Sequence, residues 1–331
     1  MKKLVLIDSN AVIHRAYHAL PKSMSTRKGE QTNAVYGFAT TLIKALEDLH
    51  PDYVAASFDV SKSTFRTEQY AQYKATRVKA DQELYDQIPR IKELLSVFNI
   101  PVYEKEGYEA DDCIGTIVKN CHEHNARCRH IPSEGMEVFI ISGDKDIYQL
   151  IDGNIFVYSL RKGLSQMTVV DQKVIKEEFS LDPEDFIDLK ALAGDPSDNI
   201  PGVPGIGPKT ATELIQKLDT LKNLYEELEK KGPEVFSKEY NVKERIINLL
   251  IEHKEQAFLS QSLATIHKEV PIDFDLNDTK WGEYDREKAK ELFEELGFHS
   301  LLKRFGAERP EEPKTKQAKE QAKKDEQLKL L

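Results

Sequence analysis

Gly107-Tyr108-Glu109-Ala110-Asp111-Asp112 is the stretch on which the reading of this chain turns. Three carboxylates fall within four positions, and the residues behind them, Cys113 to Lys119, are helix-forming. Two like charges about 4 Å apart repel by roughly 1 kcal/mol in water and about 4 kcal/mol at an effective dielectric near 20. Acids in a first helical turn also complement the positive end of the helix dipole, so the triplet alone has an ordinary explanation. The flanking sequence changes that. Asp8 ends the apolar run Leu4 to Ile7, Asp59 follows Tyr53 to Phe58, and Asp144 and Asp146 follow Val138 to Ile141. Short apolar runs of this kind suit strands of a parallel sheet covered on both faces. In open parallel sheets, ligands sit outside the carboxyl ends of the strands. The acids are therefore expected to converge on one crevice, where divalent cations with oxygen ligands are the natural neutraliser.

Composition sets the frame. The chain has 331 residues, 40 % hydrophobic and 31 % charged, which fits one large α/β domain plus a smaller one. No apolar run reaches the length of a membrane span, and Met1-Lys2-Lys3 leads directly into a strand rather than a signal peptide. No membrane partner is expected. Three cysteines at irregular spacing point to a reducing compartment, with the cytoplasm the expected location. The net charge of −10 does not exclude nucleic acid, because the distribution of charge governs phosphate binding.

Periodicity predicts helices over Asn10–Leu20, Ala34–Leu49, Asp81–Asn99 and Glu109–Asn125, and strands over Tyr53–Phe58, Glu137–Ile141 and Ile155–Leu160. Tyr36-Gly37-Phe38 falls in the first turn of the second helix. Its aromatics read as core, or, with Gly37 permitting close approach, as a ligand contact. The segment Lys62 to Lys79 interleaves Lys62, Arg66, Lys74, Arg77 and Lys79 with Phe65, Tyr70 and Tyr73. Basic residues among aromatics suit a nucleic-acid single strand, and this run begins just after Asp59, near the crevice. Cys121-His122-Glu123-His124 and Cys128-Arg129-His130 fit no regular zinc pattern. From Asp171 onward the chain is expected to be entirely helical. Gly194 to Asn199 adds Asp195 and Asp198 in a turn of ordinary turn residues. The loop Pro201 to Ala211 carries Gly202, Gly205, Gly207, Lys209 and Thr210. Backbone amides at such a loop and helix start hold phosphates, and its spacing is not that of a Walker loop. It looks like a hairpin that grips a DNA backbone without reading bases.

Taken in order, Ile7-Asp8, Phe58-Asp59, Phe65-Arg66, Tyr73-Lys74 with Arg77, Gly107 to Asp112, Gly143 to Asp146, Gly194 to Asn199 and the glycine-rich hairpin resemble the bacterial 5′-to-3′ exonuclease and flap endonuclease family. The branch with the N-terminal nuclease domains of DNA polymerase I gives the nearest pattern, from Leu4 to about Phe305. The resemblance implies a PIN-like α/β parallel sheet with a helical arch over residues 1–170. A helical DNA-binding domain with a helix–three-turn–helix motif would follow over 171–306, then a charged tail over 307–331. It assigns Asp8, Asp59, Glu109, Asp111 and Asp112 to a first metal position, and Asp144, Asp146, Asp195 and Asp198 to a second. The implied ions are Mg2+, with Mn2+ as substitute, and K+ at the hairpin. Lys74 and Arg77 would be the catalytic cations. Arg66, Tyr73, Tyr36-Gly37-Phe38, Gly202, Gly205, Gly207, Lys209 and Thr210 would contact substrate.

The implied activity is hydrolysis of DNA at 5′ flaps, nicks or free 5′ ends, in flap removal and repair. Gln327 to Leu331 resembles the short peptide by which bacterial replication proteins bind the sliding clamp, and tethering would raise effective concentration on DNA. Two alternatives stand beside this reading. A PIN-type ribonuclease is disfavoured by the duplex-gripping hairpin, and a DNA-binding module without catalysis is disfavoured by the full set of acids. The pattern departs from the family in a longer Asn125–Gly135 segment. It also lacks proofreading and polymerase domains, which fits either a stand-alone nuclease or an isolated domain.

Overall fold

A computed structural model describes residues 1–60, 63–77, 80–122, 128–129, 135–160 and 167–305. The expectations for Lys62, Lys79, most of the Cys121 to His130 segment, the tail and Gln327–Leu331 lie outside the described residues. Among the described residues there are eight strands: β1 (Lys2–Asp8), β2 (Tyr53–Ser57), β3 (Val102–Tyr103), β4 (Cys128–Arg129), β5 (Met136–Ser142), β6 (Ile155–Ser159), β7 (Thr168–Val170) and β8 (Phe274–Asp275). Six form one sheet in the order β3-β2-β1-β5-β6-β7. All neighbours are parallel except β6 and β7. Strand order reverses between β1 and β5, which makes their carboxyl ends the place where a crevice opens.

The apolar runs are buried on both faces, as a covered parallel sheet requires. Leu4, Leu6, Val138 and Ile140 pack into one core, and Val5, Ile7, Phe139 and Ile141 into the other. Helices α1 (Ser9–Ala19), α2 (Asn33–Leu49), α3 (Phe65–Gln69), α4 (Gln82–Tyr85), α5 (Ile88–Val97) and α6 (Ala110–His122) accompany the sheet. The single helix expected over Asp81–Asn99 is two, with Pro89 in the first turn of α5. Proline lacks the amide that a continuous helix would need there.

After β7 come α7 (Gln172–Phe179), α8 (Asp185–Ala193), α9 (Pro208–Leu218), α10 (Leu221–Tyr240), α11 (Glu244–Glu252) and α12 (Lys254–Ala264). Their core gathers Leu192, Val203, Leu214, Leu224, Phe236 and Ile247. The expectation of an entirely helical chain after Asp171 is corrected in one respect: β8 pairs in parallel with β4. From Ile266 the chain also returns to the sheet. Ile266, Phe274 and Leu276 enter one sheet core, while Phe293 and Leu301, from α13 (Arg286–Glu295) and α14 (His299–Phe305), enter the other. The region 171–306 therefore does not pack as one block. No described helix is long and apolar enough to cross a membrane.

Candidate active site

The strand ends place the acids. Asp8 is the last residue of β1. Its Oδ1 accepts a hydrogen bond from Ala11 N (3.1 Å), capping α1, and its Oδ2 accepts from Ser142 Oγ at the end of β5 (2.7 Å). Ser142 Oγ in turn accepts from Asp144 N (3.0 Å), and Asp144 Oδ1 accepts from Asp146 N (2.9 Å). Asp59 Oδ1 accepts from Ala110 N, the first residue of α6 (2.7 Å). Asp195 Oδ1 takes both the amide and the hydroxyl of Ser197. The result is a cleft of about 850 Å³ whose walls include Asp8, Asp59, Glu109, Asp111, Asp144, Asp146 and Asp195.

These acids are under electrostatic pressure. Burial pushes the Asp8 carboxyl up to about 7, against the hydrogen bond from Ser142. Burial, then Asp144, pushes Asp146 up to about 7. Asp111 is raised well above the usual carboxylate range by burial and then by Asp112, and its buried Oδ1 has no hydrogen-bond partner. Lysines and arginines answer part of the charge. Lys190 bridges Asp146 and Asp195, 2.5 Å from Asp195 Oδ2. Lys74 Nζ lies 2.8 Å from Glu109 Oε1, and Arg77 pairs with Asp198. Burial opposes the Lys74 charge, yet Glu109 and Asp198 carry its pKa above the ordinary value. Lys74 has a left-handed backbone (φ 55°), fixed by its amide donating to Asp198 O (2.8 Å). A non-glycine residue in that region is strained, and such strain gathers at functional sites.

Several assignments change once the side chains are placed. Asp112 does not face the cleft: it is fully buried, and both its oxygens are taken by protein donors. Asp198 is also buried, held by Arg77 and by the hydroxyl of Tyr73 (3.2 Å). Arg66 and Tyr73, expected at the substrate, lie inside the protein, where the single hydroxyl proton of Tyr73 is shared between Asp198 and Glu109 Oε2 (3.1 Å). Gly37 serves helix packing, since a Cβ there would sit 2.4 Å from Ala16 Cβ. Phe38 is core. Of that triplet only Tyr36 is partly exposed, against Phe298 and the Ser300 hydroxyl. Lys74 and Arg77 do line the cleft with seven of the nine acids.

The structure adds residues the sequence reading passed over. Lys190, at the end of α8, could be suspected only from its position five residues before Asp195. Asn10, His14 and His18 line the cleft from one face of α1. Their spacing of four was legible as a helical stripe.

The hairpin divides by burial. Val203 and Ile206 anchor it in the helical core. Gly202 is internal: a Cβ there would fall 2.2 Å from Gly194 N, and its amide and carbonyl are bonded to Ser260 and Gln256 of α12. Its expected substrate contact is thereby corrected to a packing role. Gly205, Gly207 and Lys209 are exposed, and Thr210 is half-buried, at the start of α9.

Comparison with known proteins accounts for this architecture. Residues 3–180 match the 5′-3′ exonuclease N-terminal resolvase-like domain, and residues 181–287 match the 5′-3′ exonuclease C-terminal SAM fold. This chain belongs to the 5′-3′ exonuclease family. Among curated members of the family, DNA polymerase I of Bacillus subtilis is 42 % identical over 310 residues, covering 94 % of this chain and 33 % of that protein. DNA polymerase I of Bacillus caldotenax is 40 % identical over 314 residues, covering 95 % and 33 %. The chain thus spans about a third of the length of these relatives. The fold is shared with T5 5′-exonuclease, solved with bound zinc (TM-score 0.62, 21 % identity, 92 % of this chain and 97 % of that one). It is shared too with the Rad2 catalytic core, solved with a DNA substrate (TM-score 0.57, 20 % identity, 92 % and 90 %).

Proposed function

We propose that the chain is a divalent-metal-dependent 5′ nuclease that hydrolyses DNA at 5′ flaps, nicks or free 5′ ends. The observation that carries the reading is the cleft itself: seven acids in one wall set, with Lys74 and Arg77 beside them, in a chain of the 5′-3′ exonuclease family. Among the described residues no three ligand-type side chains close around a point as a finished cage. The donor chemistry nonetheless fits a hard cation. Asp111 Oδ1 is buried without a partner, and burial, with neighbouring acids, pushes Asp8 and Asp146 up to about 7. Asp8, Asp59, Glu109 and Asp111 would hold one ion, and Asp144 with Asp146 and Asp195, the last two released from Lys190, a second. Mg2+ is the natural occupant and Mn2+ its substitute; K+ would belong at the hairpin. A bound divalent ion supplies an activated water and neutralises charge on the phosphoryl oxygens.

The chain's own residues do the rest. Lys74 and Arg77 leave Glu109 and Asp198 to stabilise charge developing on the scissile phosphate. Backbone amides at the exposed Gly205 and Gly207, the start of α9 and Lys209 would hold duplex phosphates without reading sequence. DNA-bound Rad2 and metal-bound T5 exonuclease, which share the fold, support the same reading. The test is cleavage of a 5′-labelled DNA flap in Mg2+ and in EDTA, beside single-stranded RNA. Metal-dependent cutting of the flap is expected. Full activity in EDTA, or preference for the RNA, would overturn the reading.

A further inference from the structure

Among the described residues, one fully bonded side chain lies outside the cleft. Arg66 on α3 is 1 % exposed. Its Nη1 and Nη2 hold Asp112 in a bidentate pair (2.8 Å each), and Nη1 also reaches Glu109 Oε2 (3.1 Å). Its Nε donates to Leu263 O (3.0 Å) and Nη2 to Thr265 O (2.9 Å). A guanidinium has five N–H donors, and here all five are used. Asp112 mirrors it: two bonds from Arg66, one from Glu109 N (3.0 Å) and one from His267 N (2.7 Å) fill its acceptor sites. Neither group has capacity left for a metal or a phosphate.

The partners of this pair come from two directions. Glu109 N belongs to the acid-bearing turn. Leu263 lies in the last turn of α12, and Thr265 and His267 belong to the strap that leaves it; Ser260 and Gln256 of the same helix hold the hairpin at Gly202. The strap is fastened to the sheet side along its length. Gln149 takes Ala264 O and Ile266 N, and Thr116 Oγ1 takes Val270 N. Gly115 lets it approach, since a Cβ there would lie 2.6 Å from Ile266 Cγ2.

Resting on the metal reading above, we infer that Arg66, with Asp112, is a positioning residue: it locks the strap to the first turn of α6 and so fixes Glu109 and Asp111 for the metal. It does not contact DNA. Calorimetric titration of the 331-residue chain with Mn2+, below the melting point of each variant, tests this together with duplex binding in EDTA at several salt concentrations. Arg66→Lys keeps the charge but not the five-donor fork. It should weaken Mn2+ binding tenfold or more while leaving the salt slope of duplex binding unchanged. Arg66→Gln with Asp112→Asn removes both buried charges together, which preserves folding better than removing one. That variant should also bind Mn2+ at least tenfold more weakly. A salt slope reduced by about one with Mn2+ affinity intact would make Arg66 a phosphate contact and overturn the inference. So would wild-type Mn2+ affinity in the folded double variant. Absence of Mn2+ binding by the wild type would instead overturn the metal reading, and this inference with it.

Discussion

Asp111 and Asp112 are neighbours in one helical turn, yet they face opposite regions of the molecule. Asp111 lines the cleft with a buried oxygen that nothing bonds. Asp112 lies behind it with four protein donors on its two oxygens. On the cleft side charge is only partly compensated, and the pKa values of Asp8, Asp111 and Asp146 rise. On the strap side charge is fully compensated and excluded from water. Uncompensated buried charge is costly to a folded chain unless something binds it. The difference therefore separates groups kept for a ligand from groups that hold the frame.

The widest gap between the two sides should appear in stability. Arg66→Met strands Asp112 and leaves Glu109 with one cation fewer, so chemical unfolding should show a loss of about 3–5 kcal/mol. A loss below about 1 kcal/mol would mean that the strap side is no more structural than the cleft side. Lys74→Ala comes next. It removes a cation from the cleft wall, and the single-turnover rate on a flap should fall by roughly a hundredfold, about 2.7 kcal/mol of barrier, with stability little changed. An effect confined to affinity would move Lys74 from the chemistry to the frame. Lys209→Ala, outside the cleft lining, should give the smallest change. Duplex binding should weaken modestly, and its salt slope should flatten by about one counterion with the cutting rate of bound substrate preserved.

Much of the fold could be read from sequence because strands buried on both faces leave continuous apolar runs. Leu4 to Ile7 and Val138 to Ile141 are such runs, and each ends at or just before an acid of the cleft. The break between α4 and α5 was also readable, from Pro89. The return of the chain to the sheet was not: Phe274, Phe293 and Leu301 sit in segments whose periodicity says helix or short strand but not which core they join. The site shows the same limit. Tyr73, Lys74 and Arg77 form one run, but only packing distinguishes a tyrosine turned inward onto Glu109 and Asp198 from cations lining the cleft. Composition marks Arg66 as basic, and its role depends on carbonyls almost two hundred residues away in the chain. Gly202 and Gly205 look alike in sequence; the Gly194 backbone against Gly202 tells them apart.

The central claim is that the cleft side is built for a divalent cation, and melting of the wild type and Asp111→Asn with and without Mg2+ tests it most directly. A carboxyl whose pKa is raised on folding costs stability at neutral pH. Without metal, Asp111→Asn should therefore melt at or above the wild type. A ligand that binds only the native state stabilises it by about 2.7 kcal/mol at a hundred times its dissociation constant. Saturating Mg2+ should accordingly raise the wild-type melting temperature by several degrees, and the rise should largely vanish in Asp111→Asn. A wild type indifferent to Mg2+, or an Asp111→Asn variant that is less stable without metal and still gains the full Mg2+ shift, would contradict the account.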